Sequence, residues 1–576
     1  MGRRAATLDL IAWIAAAVAA ACAAIHLLGF RPLTVDEIEY FRATDWVAHG
    51  LVPYRDFFEH HLPLQWYLFA PAAWIVRSPG AAAIVSMRLF QLPLWVITFV
   101  ALARWIRRDG HSPAVAVAAL LASMLFVMPA IEYRVDTVSV CAMVLALAAA
   151  ERHPFAGGTL ASLAVLANLR FAPVAAVALI VCAVVDLDAR RWRMPGLRRS
   201  LLTIIGAALP CAAYGSYLWV TGSWAPFYSE IVAGNVAMDR LASGHAASTL
   251  PMLANALIGG LDIGTVLLAA GAIVVVCTSD WRHPGRAQIA AAVAAANLLF
   301  VLFMSVQYFY HFELTLVLCT FLVAHLRHRA VGWIVLASAL LAVVFTARGS
   351  RSAIRVQDAI MREANAAASP AESVLDGSGF AIRRRPAYRY WFLPLGVRLR
   401  AAAGEIDPYR PAMLMSDPPG AVVIDLRLAG WLDQWPELRR AVIRHYVPRW
   451  RNVWVPGGSG VIGPGGTVSI DVIRDGAYEL IARPQLVGHP WFHNPVGTAF
   501  VGETLTVDAA AVSPAALTTN AGSPSRPLVL TRGTRLEITS HEREMIGFFL
   551  VPATAPRIFE RPDGGGPLVD PLFTLR

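Results

Sequence analysis

Long apolar runs fill the first 347 residues of the 576-residue chain and are absent from the rest. Most of these runs hold about 17–25 residues, the length of helix that crosses the hydrocarbon core of a bilayer. The segment 156–186 is interrupted by Pro173, so it could form two short helices or one kinked helix. Counted as two, the pattern predicts about eleven spans, near residues 7–30, 88–104, 112–130, 136–150, 156–170, 172–186, 200–220, 259–278, 287–305, 308–326 and 330–347.

The apolar run at 63–77 decides on which side of the membrane each loop lies. It is short and begins with Pro63. If it does not cross, the arginine clusters at 104–108, 152, 190–199, 282–286 and 327–329 fall on the same side as Arg3 and Arg4. Because inside loops are enriched in positive residues, we expect a juxtamembrane helix at 63–77 and external C-terminal domains. The sequence thus predicts a multi-pass protein of the plasma membrane, the inner membrane of a bacterium, whose C-terminal domains are periplasmic.

After the last apolar run the pattern changes to that of a soluble protein. A helical segment, short apolar strands and a second helix predict a small α/β domain at 348–456. The run PGGSGVIGPGG, which begins at Pro456, marks a boundary. Short runs separated by turns then predict an antiparallel, β-sandwich-like domain at 457–576. The predicted fold class is therefore a polytopic α-helical membrane protein, residues 1–347, followed by two external domains.

Composition supports the membrane assignment and narrows the function. The chain is 57% hydrophobic and only 15% charged, which is too little charge to cover a soluble protein of this length. Its formal charge of +10 comes from 49 arginines and no lysine, and their position in short loops fits topology better than nucleic-acid binding. All six cysteines lie in apolar segments and predict no disulfide framework. We find no sequence signature of a nucleotide phosphate loop, a dinucleotide site, a zinc protease or a serine hydrolase.

The charged and aromatic stretch 34–67, directly after the first span, carries the strongest chemical signal. Thr34 and Glu37 have the spacing of a helix capping box, so Glu37 has a possible structural role beside a catalytic one. Asp36 stands in the first turn, where the helix dipole favours a charged carboxylate, and it is suited to accept a proton from an attacking hydroxyl. We therefore predict Asp36 and Glu37 as catalytic. Further polar residues at outer helix ends predict a shared substrate pocket, formed by Tyr40, Tyr54, Glu59, Asp136, Arg170, Tyr308 and His311.

Cationic residues on the same side could hold the phosphate of a donor, namely His60, His61, Arg88 and Arg134. Arginine offers a fork of donors that matches phosphate, and a cationic histidine acts as a point charge. Structural roles stay open as well: Arg88 and Arg170 could anchor helix ends at the interface, and Arg134 could neutralise Asp136. His60 and His61 could join nearby carboxylates around a metal. No metal-ligand spacing supports that site, so we predict no metal ligands, although a divalent ion is compatible with the chemistry.

This order of residues resembles the type C (GT-C) membrane glycosyltransferases, in the branch of the protein O-mannosyltransferases and the lipid A aminoarabinose transferases. The likeness is carried by five features: Asp36-Glu37 after the first span, Glu59-His60-His61-Leu62-Pro63, Arg88 opening the next span, Arg134 with Asp136, and Gln307-Tyr308-Phe309-Tyr310-His311. The chain departs from the family at His61, where a lysine is usual, and at Leu62, where a proline is usual. The similarity covers most of the membrane half and leaves the β-rich end unmatched.

The resemblance implies inverting transfer of a sugar from a polyprenyl-phosphate donor to a glycan, lipid or protein acceptor at the outer face. In it, Asp36 is the base and His61 replaces the phosphate-contacting lysine. Two other functions stay open, a transporter or flippase of a lipid-linked saccharide and a non-catalytic, glycan-binding envelope scaffold. Polar residues gather at outer helix ends rather than at the bilayer midplane, which favours the transferase. The segment 221–258 could be a lid over the site or a plain loop.

Overall fold

The chain divides into two compact units, Met1–Ile354 and Arg355–Arg576. The predicted membrane domain corresponds to the first unit within a few residues. Both predicted external domains fall in the second unit, so the boundary between them stays a prediction. The computed structural model describes residues 10–18, 20–22, 31–184, 196–242, 262–281, 285–304, 308–326, 351–450, 452–463, 465–483, 507–509, 527–540 and 546–553.

From residue 31 onward, the described part of the first unit is built from helices of very different lengths. In chain order they are α1 (Val35–Ala48), α2 (Leu64–Ile75), α3 (Ala81–Arg108), α4 (Ala114–Leu121), α5 (Met124–Ala130), α6 (Val135–Ala150), α7 (Pro154–Ala167), α8 (Ala172–Val184), α9 (Gly196–Val220), α10 (Trp224–Phe227), α11 (Gly234–Ala242), α12 (Ile263–Thr278), α13 (Arg286–Phe303) and α14 (Glu313–Val323). Short 3-10 helices, Leu169–Phe171 and Phe309–Phe312, precede α8 and α14, and a π-helix, Tyr228–Ala233, joins α10 to α11.

Within the described ranges, three helical segments are long and apolar enough to cross a membrane, namely Ala81–Arg108, Arg198–Val220 and Arg286–Phe303. α5 and α6 meet the same criterion as a pair and are bent by 113°. Shorter apolar helices are Leu10–Cys22, Pro154–Ala167, Leu169–Cys182, Gly264–Thr278 and Phe309–Val323. These segments fit a polytopic helical membrane protein. The predicted span at 330–347 and residues 23–30 of the first predicted span lie outside the described residues.

Local capping explains where the helices differ from the predicted spans. The run 112–130 is two helices rather than one, because Ser123 caps α5 by accepting a hydrogen bond of 3.3 Å from the Phe126 amide. Asn168 likewise caps the turn before α8, so 156–186 forms two helices, and Pro173 is tolerated at the start of the second. α2 has 12 residues, about 18 Å of helix, which fits the predicted juxtamembrane position.

Glycines bring the backbones of α7 and α9 into direct contact. A Cβ added at Gly158 would lie 2.1 Å from the carbonyl oxygen of Thr203, and one at Gly206 would lie 2.1 Å from that of Phe155. Small residues of this kind permit the close approach that packs helices in a bilayer. Both positions therefore exclude any side chain, whereas Gly215 on α9 has open space around it.

An ionic network joins the C-terminal ends of α3, α6 and α14 to the start of α13. Arg286 donates to Asp109 at 2.8 Å and to both oxygens of Glu151, and His325 binds Asp109 at 3.0 Å. The His111 ring lies 4.2 Å from that of His325. Burial by itself lowers the pKa of His325, but the Asp109 carboxylate outweighs it, so the pKa lies above its usual value. This network ties the helix ends together about 31 Å along α3 from Arg88.

The second unit begins around α15 (Arg351–Ala367) and contains a mixed five-stranded sheet. The strand order is β2-β1-β3-β5-β4, with β1 parallel to β2 and β3 and the remaining pairs antiparallel. Its strands are β1 (Ser373–Asp376), β2 (Arg385–Pro386), β3 (Ala421–Val423), β4 (Tyr446–Trp450) and β5 (Val453–Pro456). The accompanying helices are α16 (Leu395–Ala402), α17 (Pro411–Ser416), α18 (Leu426–Gln434) and α19 (Pro436–His445).

Two antiparallel sheets follow, with orders β10-β8-β12-β6 and β7-β11-β9. Their strands are β6 (Gly458–Ile462), β7 (Thr467–Asp471), β8 (Gly476–Arg483), β9 (Val507–Ala509), β10 (Leu528–Leu530), β11 (Arg535–Ser540) and β12 (Ile546–Pro552). Ile470 and Leu536 from one sheet share a core with Ile462 and Phe548 from the other, as expected for a sandwich. The glycine-rich run contains strand β6, which pairs with β12. Its Gly460 lies under the Phe548 ring, where a side chain would not fit.

Candidate active site

The first turn of α1 is fixed by the predicted capping box. The Glu37 amide donates to Thr34 Oγ1 at 3.4 Å, and the Thr34 amide donates to Glu37 Oε2 at 3.0 Å. This arrangement places Asp36 beside Glu37 in the first turn, where the helix dipole stabilises negative charge. The Asp36 side chain keeps 24% of its surface exposed, whereas Glu37 is completely buried. Of the two predicted catalytic carboxylates, Asp36 is therefore the one that a substrate can reach.

Glu37 and Arg88 form a buried, bidentate ion pair that holds α1 against α3. Arg88 Nε lies 2.6 Å from Glu37 Oε1, and Nη2 lies 2.7 Å from Oε2. Arg88 also donates to the carbonyl oxygens of Arg31 and Pro32, and the Tyr133 amide donates to Glu37 at 2.9 Å. Burial alone raises the pKa of Glu37, but the Arg88 charge and these hydrogen bonds keep it below its usual value.

This geometry gives both members of the pair a positioning role. Arg88 turns its donors toward Glu37 and two backbone carbonyls rather than toward a pocket, which argues against the predicted phosphate contact. Glu37 is likewise engaged on both oxygens, which argues against proton transfer by this residue. Removing one partner of a buried pair typically costs about 3–5 kcal/mol, because the other charge is left uncompensated.

Arg134 lies at the bend before α6 and connects three carboxylates. It donates to Asp36 Oδ2 at 3.1 Å, to Glu132 Oε2 at 3.0 Å and to Asp136 Oδ2 at 3.4 Å. Its guanidinium carbon also lies 3.5 Å from the centre of the Tyr310 ring. Arg134 is thus the link between α1, where the candidate base stands, and the start of α6.

Arg170 is the cation in this group with donors to spare. Its Nη2 binds Asp136, which also accepts a hydrogen bond of 3.1 Å from Asn168. Its Nε and Nη1 are buried and make no hydrogen bond within the described part of the chain. These two donors lie on different edges of the guanidinium, on either side of Nη2, and a buried charged donor without a partner is suited to an oxygen of a phosphate. Arg170, predicted for the substrate pocket, is therefore the strongest candidate for the phosphate contact.

His311 and Glu313 complete this side of the site. Both are buried at the start of α14, and both carboxylate oxygens of Glu313 are without a hydrogen-bond partner among the described residues. Tyr308 is 45% exposed and stacks on Tyr310 with 5.1 Å between ring centres, so it lies at the rim. Buried polar atoms without partners are rare in a packed apolar core, so they mark this side of the site as a candidate place for a polar ligand.

The predicted histidines each turn one ring nitrogen toward carboxylates. His60 Nδ1 lies 3.1 Å from Glu39 Oε1, and His61 Nδ1 lies 3.1 Å from Glu59 Oε1. The phosphate contacts expected of His60 and His61 stay predictions. His61 packs edge-on against Tyr40 at 5.3 Å between ring centres, and the Tyr40 ring lies 5.7 Å from the Arg134 guanidinium. Tyr40 therefore separates the histidines from the arginine cluster.

Tyr54 shapes this loop instead of opening into the arginine cluster. Its backbone has a φ of +67°, uncommon for a residue other than glycine, and its hydroxyl donates to the His61 carbonyl at 2.7 Å. Phe227 packs on the Tyr54 ring at 5.5 Å, and Glu230 accepts from the Glu59 amide at 3.2 Å. The segment 224–242 is helical, and its residues Phe227 and Glu230 contact this loop. Residues 243–258 lie outside the described part of the chain.

Some members of the site were absent from the predicted set. Glu132 binds both Arg134 and Arg31, and Tyr310 forms one wall of the arginine cluster. Glu313 opens α14, and its only signal in the sequence is a carboxylate at the head of an apolar run. Ion pairs between residues about 100 positions apart leave no local spacing from which they could be read.

Similarity to known proteins is visible in structure and not in sequence. No family profile and no curated protein sequence matches the chain. The structure of ArnT from Cupriavidus metallidurans bound to undecaprenyl phosphate is similar at a TM-score of 0.50 and 14% identity, over 73% of this chain and 94% of that one. The apo state of the same protein is similar at a TM-score of 0.51 and 14% identity, over 77% of this chain and 97% of that one. The arabinosyltransferase EmbB from Mycobacterium smegmatis has a TM-score of 0.37 and 11% identity, over 96% of this chain and 63% of that one. This TM-score is too low to establish a common fold.

The chain therefore has the fold of a GT-C type membrane glycosyltransferase. Within that class, ArnT is a solved structure that shares its fold. The predicted resemblance is confirmed at the level of the fold, and the assignment of individual residues rests on the geometry of the site.

Proposed function

We propose that this protein transfers a sugar from a polyprenyl-phosphate donor to an acceptor hydroxyl at the outer face of the plasma membrane. The observation that carries the proposal is a chain of ion pairs that leads from Asp36 through Arg134 and Asp136 to Arg170. Asp36 is partly exposed, and Arg170 has two unsatisfied donors among the described residues. A base and a phosphate holder are thus linked through Arg134 and Asp136. The fold shared with ArnT, whose structure contains undecaprenyl phosphate, supports a lipid-phosphate ligand.

The acceptor hydroxyl gives its proton to the Asp36 carboxylate as its oxygen attacks the anomeric carbon of the donor sugar. The new C–O bond forms while the bond from that carbon to the phosphate oxygen breaks. The electron pair leaves on the polyprenyl phosphate, and the charge that develops there meets Arg170 and Arg134. Attack opposite the leaving phosphate inverts the anomeric centre, as expected for one carboxylate that acts as base rather than as nucleophile.

The surroundings of Asp36 suit this role. The Arg134 guanidinium and the helix N-terminus both stabilise the ionised carboxylate, the form that accepts a proton. Four acidic side chains, Asp36, Glu37, Glu132 and Asp136, are matched by four arginines, Arg31, Arg88, Arg134 and Arg170. A balanced network can hold its charges in a low-dielectric site without net repulsion.

Mass spectrometry of envelope lipids, glycans and glycoproteins tests the proposal. A strain that lacks the protein should lose one sugar modification, and expression of the wild-type chain should restore it. Arg134→Lys should not restore it, since the single nitrogen of an ammonium does not span the three carboxylates that three guanidinium nitrogens reach. Identical envelope profiles with and without the protein would overturn the proposed function. The same profiles identify the sugar, because the mass of the missing group names it.

A further inference from the structure

A second cluster of chemically active side chains lies between α1 and the loop that precedes α2. Glu39 stands on α1 three residues after Asp36, and Glu59, His60 and His61 are consecutive in the loop. Each residue offers one atom able to bind a metal ion, and these four atoms all lie within 4.8 Å of one another. Glu39 and Glu59 are buried, and the two histidines are partly buried. The sequence predicted no such site, because Glu39 is distant in the chain from the other three.

The distances fit a single ion bound between these residues. His60 Nδ1 lies 3.1 Å from Glu39 Oε1 and 3.8 Å from Glu59 Oε1. His61 Nδ1 lies 3.1 Å from Glu59 Oε1 and 3.7 Å from Glu39 Oε1. Zinc bonds of about 2.0–2.1 Å in a tetrahedron hold the ligand atoms about 3.3–3.4 Å apart. The four nitrogen–oxygen distances therefore bracket the edge of that tetrahedron, and the two remaining ligand pairs lie within 4.8 Å.

The charges also call for a cation. Within the described part of the chain, the ion pairs of the buried Glu59 are made with His60 and His61. Glu59 Oε1 accepts from the amides of both histidines at 2.9 and 3.1 Å, whereas Oε2 is buried and accepts no hydrogen bond from a described residue. The two imidazole rings lie 4.0 Å apart, so one ion can reach both of them. One divalent ion balances the charges of both carboxylates.

We propose that Glu39, Glu59, His60 and His61 bind one divalent transition-metal ion of the zinc class. Two imidazole nitrogens and two carboxylate oxygens suit Zn²⁺ better than Mg²⁺ or Ca²⁺, which prefer oxygen ligands alone. The ion fastens the loop to α1. His61 packs on Tyr40, which faces Arg134, so the ion fixes one wall of the candidate active site without touching the reacting groups.

Metal titration of the full-length protein in detergent tests this site. After removal of metal with a chelator and dialysis, the wild type should take up one equivalent of Zn²⁺ and show a higher midpoint of thermal unfolding. With Co²⁺ it should develop the visible absorption of a four-coordinate site. Glu39→Gln and His61→Gln should each weaken Zn²⁺ binding by about ten-fold or more. His49→Gln is the matched control, because His49 also binds a carboxylate of α1 but is exposed.

A wild-type stoichiometry near zero overturns the site whatever the variants do, so the outcome does not depend on their folding. Uptake of one equivalent that neither Glu39→Gln nor His61→Gln weakens also overturns it, since the ion then binds elsewhere. Uptake is measured without any sugar donor. Failure of this site and failure of the proposed transfer reaction are therefore separate results.

Discussion

Replacing Arg170 with alanine tests which side chain holds the phosphate of the donor. Arg170 binds Asp136 through Nη2 and has two buried donors, Nε and Nη1, without a partner among the described residues. A hydrogen bond from a charged donor contributes about 1.5–3 kcal/mol. Loss of one such bond to phosphate is roughly a 10- to 150-fold loss of affinity. Arg170→Lys keeps a positive charge beside Asp136, so its loss should be smaller than that of Arg170→Ala.

The assay is binding of undecaprenyl phosphate to the purified full-length proteins, measured by native mass spectrometry in detergent. Arg55→Ala is the control, because Arg55 is an exposed arginine that pairs with Asp56 in the loop before α2. The midpoint of thermal unfolding checks that each variant is folded. If Arg170→Ala binds the lipid as tightly as the wild type and Arg55→Ala, the reasoning about the open donors is refuted.

Two further predictions concern stability, measured as the midpoint of thermal unfolding in detergent. Gly206→Ala should lower this midpoint by several degrees, because its Cβ would lie 2.1 Å from the Phe155 carbonyl oxygen. Gly215→Ala on the same helix has open space and should not lower it. Equal effects of the two changes would contradict direct backbone contact. Folding raises the pKa of His325, which pairs with Asp109. This ion pair therefore stabilises the fold fully below about pH 6.5, the pKa of histidine in the unfolded chain, and the stabilisation is lost as the pH rises through the pKa in the folded protein. His325→Gln should therefore remove about 1 kcal/mol at pH 6 and less at pH 9, and a loss independent of pH would contradict this.

Features encoded by neighbouring residues were predictable from the sequence. The spacing of Thr34 and Glu37 predicted the capping box, which the structure contains. The 12-residue length of α2 fits the juxtamembrane position that the arginine distribution favoured. Short apolar runs separated by turns likewise predicted strands in the second unit, where the structure has them. In each case the cause lies within a few residues, so the pattern is visible in one stretch of chain.

Features that depend on distant residues were not predictable. Arg88 was expected at a phosphate, but Glu37, 51 positions earlier, occupies it. His61 was expected there as well, and the sequence did not show that its Nδ1 lies near both Glu59 and Glu39. Arg170 could be assigned a pocket but not its two open donors, because these depend on how α6 presents Asp136 to it. The residue types at the site were therefore foreseeable, and their pairing was not.

Comparison of lipid binding with sugar transfer by Asp36→Asn tests the central claim most directly. Transfer is followed in reconstituted vesicles with the donor identified from the envelope profiles, as release of free polyprenyl phosphate. The account predicts that Asp36→Asn binds undecaprenyl phosphate with the wild-type affinity while transfer falls by about 10²–10⁴-fold, the contribution of a general base. Asp56→Asn, a change of the same kind in the neighbouring loop, should retain transfer. Undiminished transfer by Asp36→Asn would contradict the account.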